Sequence, residues 1–331
     1  MKFKLKELEV LTKEALVKVG FQEQEAAVVA AHLMDAEISG KRSHGVSRIK
    51  HFKDKMGGEM FDPSSPEPVI EKKTPVSWRV NGYLRSGIYP IEKFLSDAFV
   101  EAHKVGMFSV ASTFGVNSGT IGIYARKAAE NGLIYIGFHN SSGGLIPFGA
   151  AQDIWGTNPF TVGLPSNELP VILDFASTKI TYGDVLEAIS KNKELPKDSV
   201  LDAQGRPSTK PQDAWEGGIL AMAGHKGSGL GMIVELLAGG LSLSRVGSNT
   251  SGGWGSFYIL INPEIFRPLG EFKQVVSTAI AELKALPKAD GFDEIFFPGE
   301  RSQKLRLAHL EKGEVDIEKS AYNLLCLLYT S

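Results

Sequence analysis

Along the first 60 residues the apolar positions recur every three or four. Leu5, Leu8, Val10, Leu11, Ala15, Leu16 and Val19 form one stripe that stops at Gly20, which predicts an opening helix. An alanine-rich stretch over 22–39, closed by Gly40, predicts a second helix. A third is predicted over 43–56, ahead of Gly57 and Gly58. Pro63, Pro66, Pro68 and Pro75 then predict an extended linker and a domain boundary. Beyond them the period shortens. Runs at 76–80, 107–113, 133–140, 160–165, 170–176 and 256–263 read as strands, and 91–104 and 121–131 between them read as helices. Helical periodicity returns at 272–286, 301–311 and 317–328. The pattern predicts an α/β protein. A helical domain is built from both chain ends (1–75 and 266–331), around a sheet-containing domain at 76–265. No internal repeat or low-complexity tract interrupts it.

Composition narrows the function classes. The chain has 331 residues, 43% hydrophobic and 22% charged, with a formal net charge of −2. This is an ordinary soluble composition with no polyanion-binding signature, so no nucleic-acid partner is expected. Cys326 is the single cysteine, which excludes an internal disulfide and fits core filling in a reducing compartment. The N-terminal stretch lacks an apolar signal core. The most apolar stretch, 230–243, is broken by glycines and contains Glu235. Neither membrane association nor export is expected, and the location expected is cytoplasmic. The terminal LLCLLYTS reads as a helix end or a truncation scar and carries no argument.

Candidate chemistry clusters in four stretches. There are 36 glycines, yet no G-x-G-x-x-G follows a predicted strand and no Walker A motif occurs. Residues 224–231, with His225, Lys226 and Gly227 ahead of a long apolar helix, suit a phosphate at a helix start; a tight packing loop is equally open. Leu173, Asp174, Phe175, Ala176 and Ser177 end a predicted strand, a place where ligands commonly sit; a helix cap at Asp174 or Ser177 is the plainer alternative. GTNPF (156–160) and the Ser141–Gly144 cluster read as turns.

The fourth stretch is SHGVSR (43–48). If Ser43 caps the third helix, His44 is its first residue and Arg48 shares its face four positions on. A carboxylate would then meet free N–H groups, a guanidinium and an imidazole able to trade a proton. Neighbouring cations lower the imidazole pKa, whereas a bound carboxylate or a partner such as Asp174 raises it. A basic helix start on the surface is the alternative. Among other histidines, His32 lies in a helix, His51 and His103 sit among lysines and are expected to be solvated, and His139 ends an apolar strand as a candidate pocket residue. His309 lies in the terminal helical region. No metal-ligand spacing and no G-x-S-x-G elbow is present.

In this order and spacing, SHGVSR, GTNPF, LDFAS, LDAQGRPSTKPQDA (201–214) and GGILAMAGHKGSGLGMIVELLAG (217–239) resemble the malate/L-lactate dehydrogenase family of NAD(P)-dependent oxidoreductases over nearly the whole chain. The family includes sulfolactate, ureidoglycolate, 2,3-diketo-L-gulonate and cyclic imino-acid reductases. The resemblance implies a non-Rossmann nucleotide-binding fold with a largely antiparallel sheet, a helical domain and a homodimer. It implies that His44 donates a proton to the substrate oxygen. Arg48 would anchor the carboxylate, with Ser43, Asn117 and Ser141 beside the substrate. Implied cofactor contacts are Thr157, Asn158, residues 170–177, His225, Lys226, Gly227, Gly299, Glu300 and Arg301. Many relatives carry a histidine in an N-S-x-H-F-G stretch. Here VNSG supplies Asn117, which hydrogen-bonds but exchanges no proton. The chain's shortness, TYGDVLE (181–187) and KGSG (226–229) lean toward the diketogulonate reductase-like members. The expected activity is reversible NAD(P)H-dependent reduction of a 2-oxo acid to a 2-hydroxy acid, with NAD versus NADP open. A cyclic 2-imino acid reductase and a non-catalytic dinucleotide binder are the alternatives.

Overall fold

The computed structural model describes residues 1–248 and 252–330. Helix α1 (Leu5–Val19) buries Leu8, Ala15, Leu16 and Val19, the stripe read from the sequence. It ends at Gly20, whose φ of 113° lets its N–H reach back to the carbonyls of Leu16 and Val17. Helix α2 (Glu23–Ile38) packs on it through Ala26, Val29, Ala30 and Leu33.

The third predicted helix is two pieces. Arg42–His44 form a single 3-10 turn, and α3 (Arg48–Lys55) begins only at Arg48. Ser43 therefore caps nothing. Ser47, at the start of α3, turns its hydroxyl back onto the Arg42 carbonyl at 2.7 Å, so this hydroxyl closes the preceding turn instead of capping the helix.

The expected linker also contains regular structure. Strand β1 (Val69–Thr74) pairs antiparallel with β2 (Ser77–Asn81) across a turn at Pro75. As an edge strand with mostly exposed side chains it carries charges on both faces, and no apolar alternation announces it.

Helix α4 (Ile88–Val105), strand β3 (Met107–Phe114), helix α5 (Ile121–Glu130) and strands β4 (Ile134–His139), β5 (Phe160–Leu164) and β6 (Val171–Phe175) follow, and β7 (Trp254–Ile261) inserts between β3 and β4. The seven-stranded order is β1-β2-β3-β7-β4-β5-β6. Only β2 and β3 run parallel. One face is covered by α4 and α5, where Leu95, Ala98, Tyr124 and Ala128 pack on Val110, Tyr258 and Leu260. Burying each large apolar side chain contributes about 1.5–3 kcal/mol.

Helix α6 (Tyr182–Ser190) starts with a Thr181–Asp184 capping box. A small sheet orders Pro207–Ser208, Val200–Leu201, Gly218–Leu220 and Leu145–Ile146. Helix α7 (His225–Val234) runs into a π-helical turn at Glu235–Gly240. Helix α8 (Leu269–Ala285) meets the loop after β5, where Asn167 bonds to Ser277 and Gln274. Helices α9 (Glu300–Lys312) and α10 (Lys319–Thr330) lie against α2 and α1. Among the described residues no helix is long and apolar enough to cross a membrane.

Candidate active site

The turn at residues 42–48 is built around a carboxylate. Glu37, 3% exposed at the end of α2, accepts the Val46 N–H at 2.9 Å. A Cβ on Gly45 would stand 2.0 Å from Glu37 Oε2, so the residue after His44 has no room for a side chain. Burial pushes the Glu37 carboxyl up to about 7. Ser43 Oγ lies 3.1 Å from His44 Nδ1, and the start of α6 presses on Ser43 through Gly183.

His44 and Arg48 are half-buried and electrostatically coupled. Burial holds His44 well below the ordinary histidine range, and the charges of Arg48 and Lys41 push the same way. Burial lowers Arg48 to about 10, so it stays cationic at neutral pH. Its Nε is buried without a hydrogen-bond partner, and among the described residues no carboxylate pairs with it. Asp174 does not partner His44. Its Oδ2 accepts the Gly122 N–H at 3.2 Å, and burial raises its pKa. His51, expected to be solvated, is half-buried with Nε2 sealed from solvent and unpartnered.

The loop before α5 lies beside this cluster. Asn117 adopts the left-handed φ of 59°, accepts the Gly119 N–H through Oδ1 at 3.0 Å, and leaves Nδ2 buried and unpartnered. Within N-S-G-T-I-G, the position matching the histidine of N-S-x-H-F-G is Thr120, three residues past Asn117. The Thr120 N–H donates to His32 Nε2 at 3.0 Å. His32 Nδ1 faces Glu92 at 3.0 Å. A histidine noted only as helical thus props the loop, a long-range contact with no local sequence signal.

A cavity of about 410 Å³ opens beside α5. Thr120, Leu173, Asp174, Gly299 and Arg301 line it, with Lys41 at its mouth. Gly299, at φ 85° and pressed on Ile172, starts α9 with no side-chain cap, which leaves helix N–H groups for an anion. The Arg301 guanidinium stacks 5.5 Å over the Phe296 ring. The buried, unpartnered Thr120 Oγ1 points to a polar ligand at this wall. Among the described residues neither Lys41 nor Arg301 forms an ion pair. These groups fit a phosphate-bearing dinucleotide in kind.

Other expected contacts are engaged within the protein. Asn158, fully buried with φ 39°, gives Nδ2 to Glu235 Oε2 at 2.8 Å and to the Gly231 carbonyl. Ser177 Oγ donates to the Asn158 carbonyl, and the Ser177 N–H to the Thr157 carbonyl. Glu300 is buried in ion pairs with Lys284 and Lys304. Ser141 sits half-buried, its N–H 3.4 Å from Asn158 Oδ1. Phe175 and Ala176 are half-buried at the end of β6. His225 and Lys226 stand exposed at the start of α7, and Gly227 packs where a Cβ would be 2.2 Å from the Met222 carbonyl. None of these three lines the cavity. Among the described residues no cluster could hold a metal ion.

A sequence model described as malate/L-lactate dehydrogenase matches residues 3–326. The chain belongs to that family. It is 32% identical over 320 residues to L-sulfolactate dehydrogenase of Methanocaldococcus jannaschii, covering 94% of this chain and 92% of that one. It is 29% identical over 344 residues to ureidoglycolate dehydrogenase (NAD(+)) of Escherichia coli K12, covering 100% and 97%. It is 31% identical over 250 residues to (2R)-3-sulfolactate dehydrogenase (NADP(+)) of Chromohalobacter salexigens, covering 75% and 74%. Among solved structures, malate dehydrogenase from Entamoeba histolytica superposes with a TM-score of 0.92 at 26% identity, covering 100% and 97%. Delta1-piperideine-2-carboxylate reductase from Pseudomonas syringae superposes at 0.86 and 25%, covering 99% and 99%. The protein is an NAD(P)-dependent oxidoreductase of the 2-hydroxy acid dehydrogenase type, which sets aside the non-catalytic binder.

Proposed function

We propose that this enzyme reduces a 2-oxo acid to the 2-hydroxy acid, reversibly, at the Ser43–Arg48 turn. One observation carries the reading: a half-buried guanidinium without a counter-ion stands beside a half-buried imidazole that no carboxylate holds. Arg48 takes the substrate carboxylate as a charge-assisted fork. That carboxylate raises the neighbouring imidazole, and His44 passes its proton to the oxygen as negative charge develops, a step worth roughly 10²–10⁴-fold. Ser43 orients the ring through Nδ1, and Asn117 Nδ2 and Ser141 offer further hydrogen bonds to the substrate.

The reduced nicotinamide, when bound, supplies the hydride. Thr120, Leu173, Asp174, Gly299 and Arg301 would hold the dinucleotide against the edge of the mostly antiparallel sheet, without a Rossmann fingerprint. His225 and Lys226 would reach it only from a different side, at the exposed start of α7. Likeness to the P. syringae reductase supports one second reading, a cyclic 2-imino acid reductase using the same Arg48 anchor. A second copy of the chain would cover Met232, Ile233, Leu236, Leu241 and Leu243, which stand 45–68% exposed on and after α7. The setting would be cytoplasmic, in keeping with the lone thiol.

The test is a panel of 2-oxo acids and one cyclic 2-imine, each with NADH and with NADPH, followed by loss of reduced-cofactor absorbance. Turnover of a 2-oxo acid above the imine supports the reading. Turnover of the imine alone overturns it.

A further inference from the structure

Helix α3 carries its side chains in three sectors. Ile49 and Phe52 are fully buried in the helical core. Lys50 and Asp54 pair with each other on the exposed side. Between these sectors Arg48, His51 and Lys55 recur at i, i+3 and i+7, so they share one edge of the helix. All three are basic, and the only carboxylate on α3 is taken by Lys50. Arg48 Nε and His51 Nε2 are both sealed from solvent and both lack a hydrogen-bond partner. Polar atoms so placed cost free energy unless a ligand or ordered water meets them. His51 and Arg48 feel each other's charge, and His44 feels both. The basic edge therefore runs on from the carboxylate anchor, away from the reacting turn.

We propose that His51 reads the far end of the substrate, and that the preferred substrate is a 2-oxo acid bearing a second acid group, a carboxylate or a sulfonate. The inference rests on Arg48 holding the first carboxylate. Three residues along a helix advance about 4.5 Å, a step of the same order as the separation of the two acid groups in a four-carbon 2-oxo diacid. His51 Nε2–H donates to the second acid group, and that group's charge favours the protonated ring. Lys55 lies farther along the same edge, exposed, and adds long-range attraction. A monoanion would leave His51 Nε2 unmet.

The test compares kcat/KM for oxaloacetate and sulfopyruvate with that for 2-oxobutyrate, of similar size but with a neutral end, in the full-length wild type, His51→Leu and His51→Gln. Wild type should favour both dianions by at least tenfold. In His51→Leu that ratio should fall roughly 10- to 100-fold, the effect of one charge-assisted hydrogen bond, mostly through KM. His51→Gln, which retains an N–H donor, should recover part of it. Turnover of 2-oxobutyrate by each variant reports that the fold and the reacting turn are intact. A wild-type ratio near one, or a ratio unchanged in His51→Leu, would overturn the inference while leaving the reductase reading in place. Wild-type inactivity toward all three acids would overturn both.

Discussion

The carboxylate of Glu37 fills the space that a side chain on Gly45 would occupy, with Oε2 2.0 Å from the missing Cβ. The same oxygen takes the Val46 N–H. The glycine after His44 is thus required by packing, since its φ of −88° is open to any residue. We expect Gly45→Ala to displace Glu37, cost roughly 1–3 kcal/mol by overpacking, and lower turnover by moving His44. Thermal unfolding and steady-state kinetics on the one variant check both; a normal melting temperature would refute the packing account.

The lowered pKa of His44 predicts a directional pH effect. The unliganded imidazole is neutral at pH 7, so oxidation of the hydroxy acid, which needs a base, should hold its kcat/KM down to pH values below the usual histidine range near ~6.5. Reduction needs the protonated ring, so its kcat/KM should rise as pH falls across that same range. His44→Ala should abolish both limbs and most turnover while dinucleotide affinity persists. Identical pH profiles for the two directions would contradict the assignment.

His139 makes a separate prediction about stability. It is 1% exposed, stacks on Tyr124 at 6.0 Å, and leaves both ring nitrogens unpartnered. Burial lowers it to about 3. The unfolded chain protonates it near ~6.5. Between those values the unfolded state binds more protons, so the stability present above pH ~6.5 is lost progressively as pH falls toward 3. Replacing His139 with Phe should flatten the fall of denaturation midpoint with pH. An unchanged slope would show that other groups carry it.

Asn158 and Glu235 tie the GTNPF turn to the π-helical turn after α7. Glu235 also accepts the Gly247 N–H at 2.8 Å. Asn158→Ala leaves this buried carboxylate short of one donor, and we expect a loss of about 1–3 kcal/mol. Chemical denaturation measures it, and a loss below the error of that method would refute the tie.

Regular elements with a clean period were legible in the sequence: α1 with its stop at Gly20, and β3 and β7 with alternating burial. Strand β1 was not, because an edge strand needs no apolar face. The Ser43 cap was misread because a serine before a helical run looks alike whether its neighbour caps the helix or closes a turn, and here Ser47 closes the turn. The residues of the catalytic turn were legible as a motif, but its surroundings were not. Glu37, His32, Thr120 and the wall formed by Asp174 and Gly299 meet only through tertiary packing. His51 reads as a surface residue among lysines, and its burial depends on how α3 docks.

The anchor role of Arg48 is tested most directly by substrate saturation of Arg48→Ala beside direct titration of NADH. One charge-assisted fork lost should raise KM for the 2-oxo acid by roughly 10²-fold or more, with dinucleotide affinity within a factor of about two of wild type. A normal KM in that variant would contradict the account.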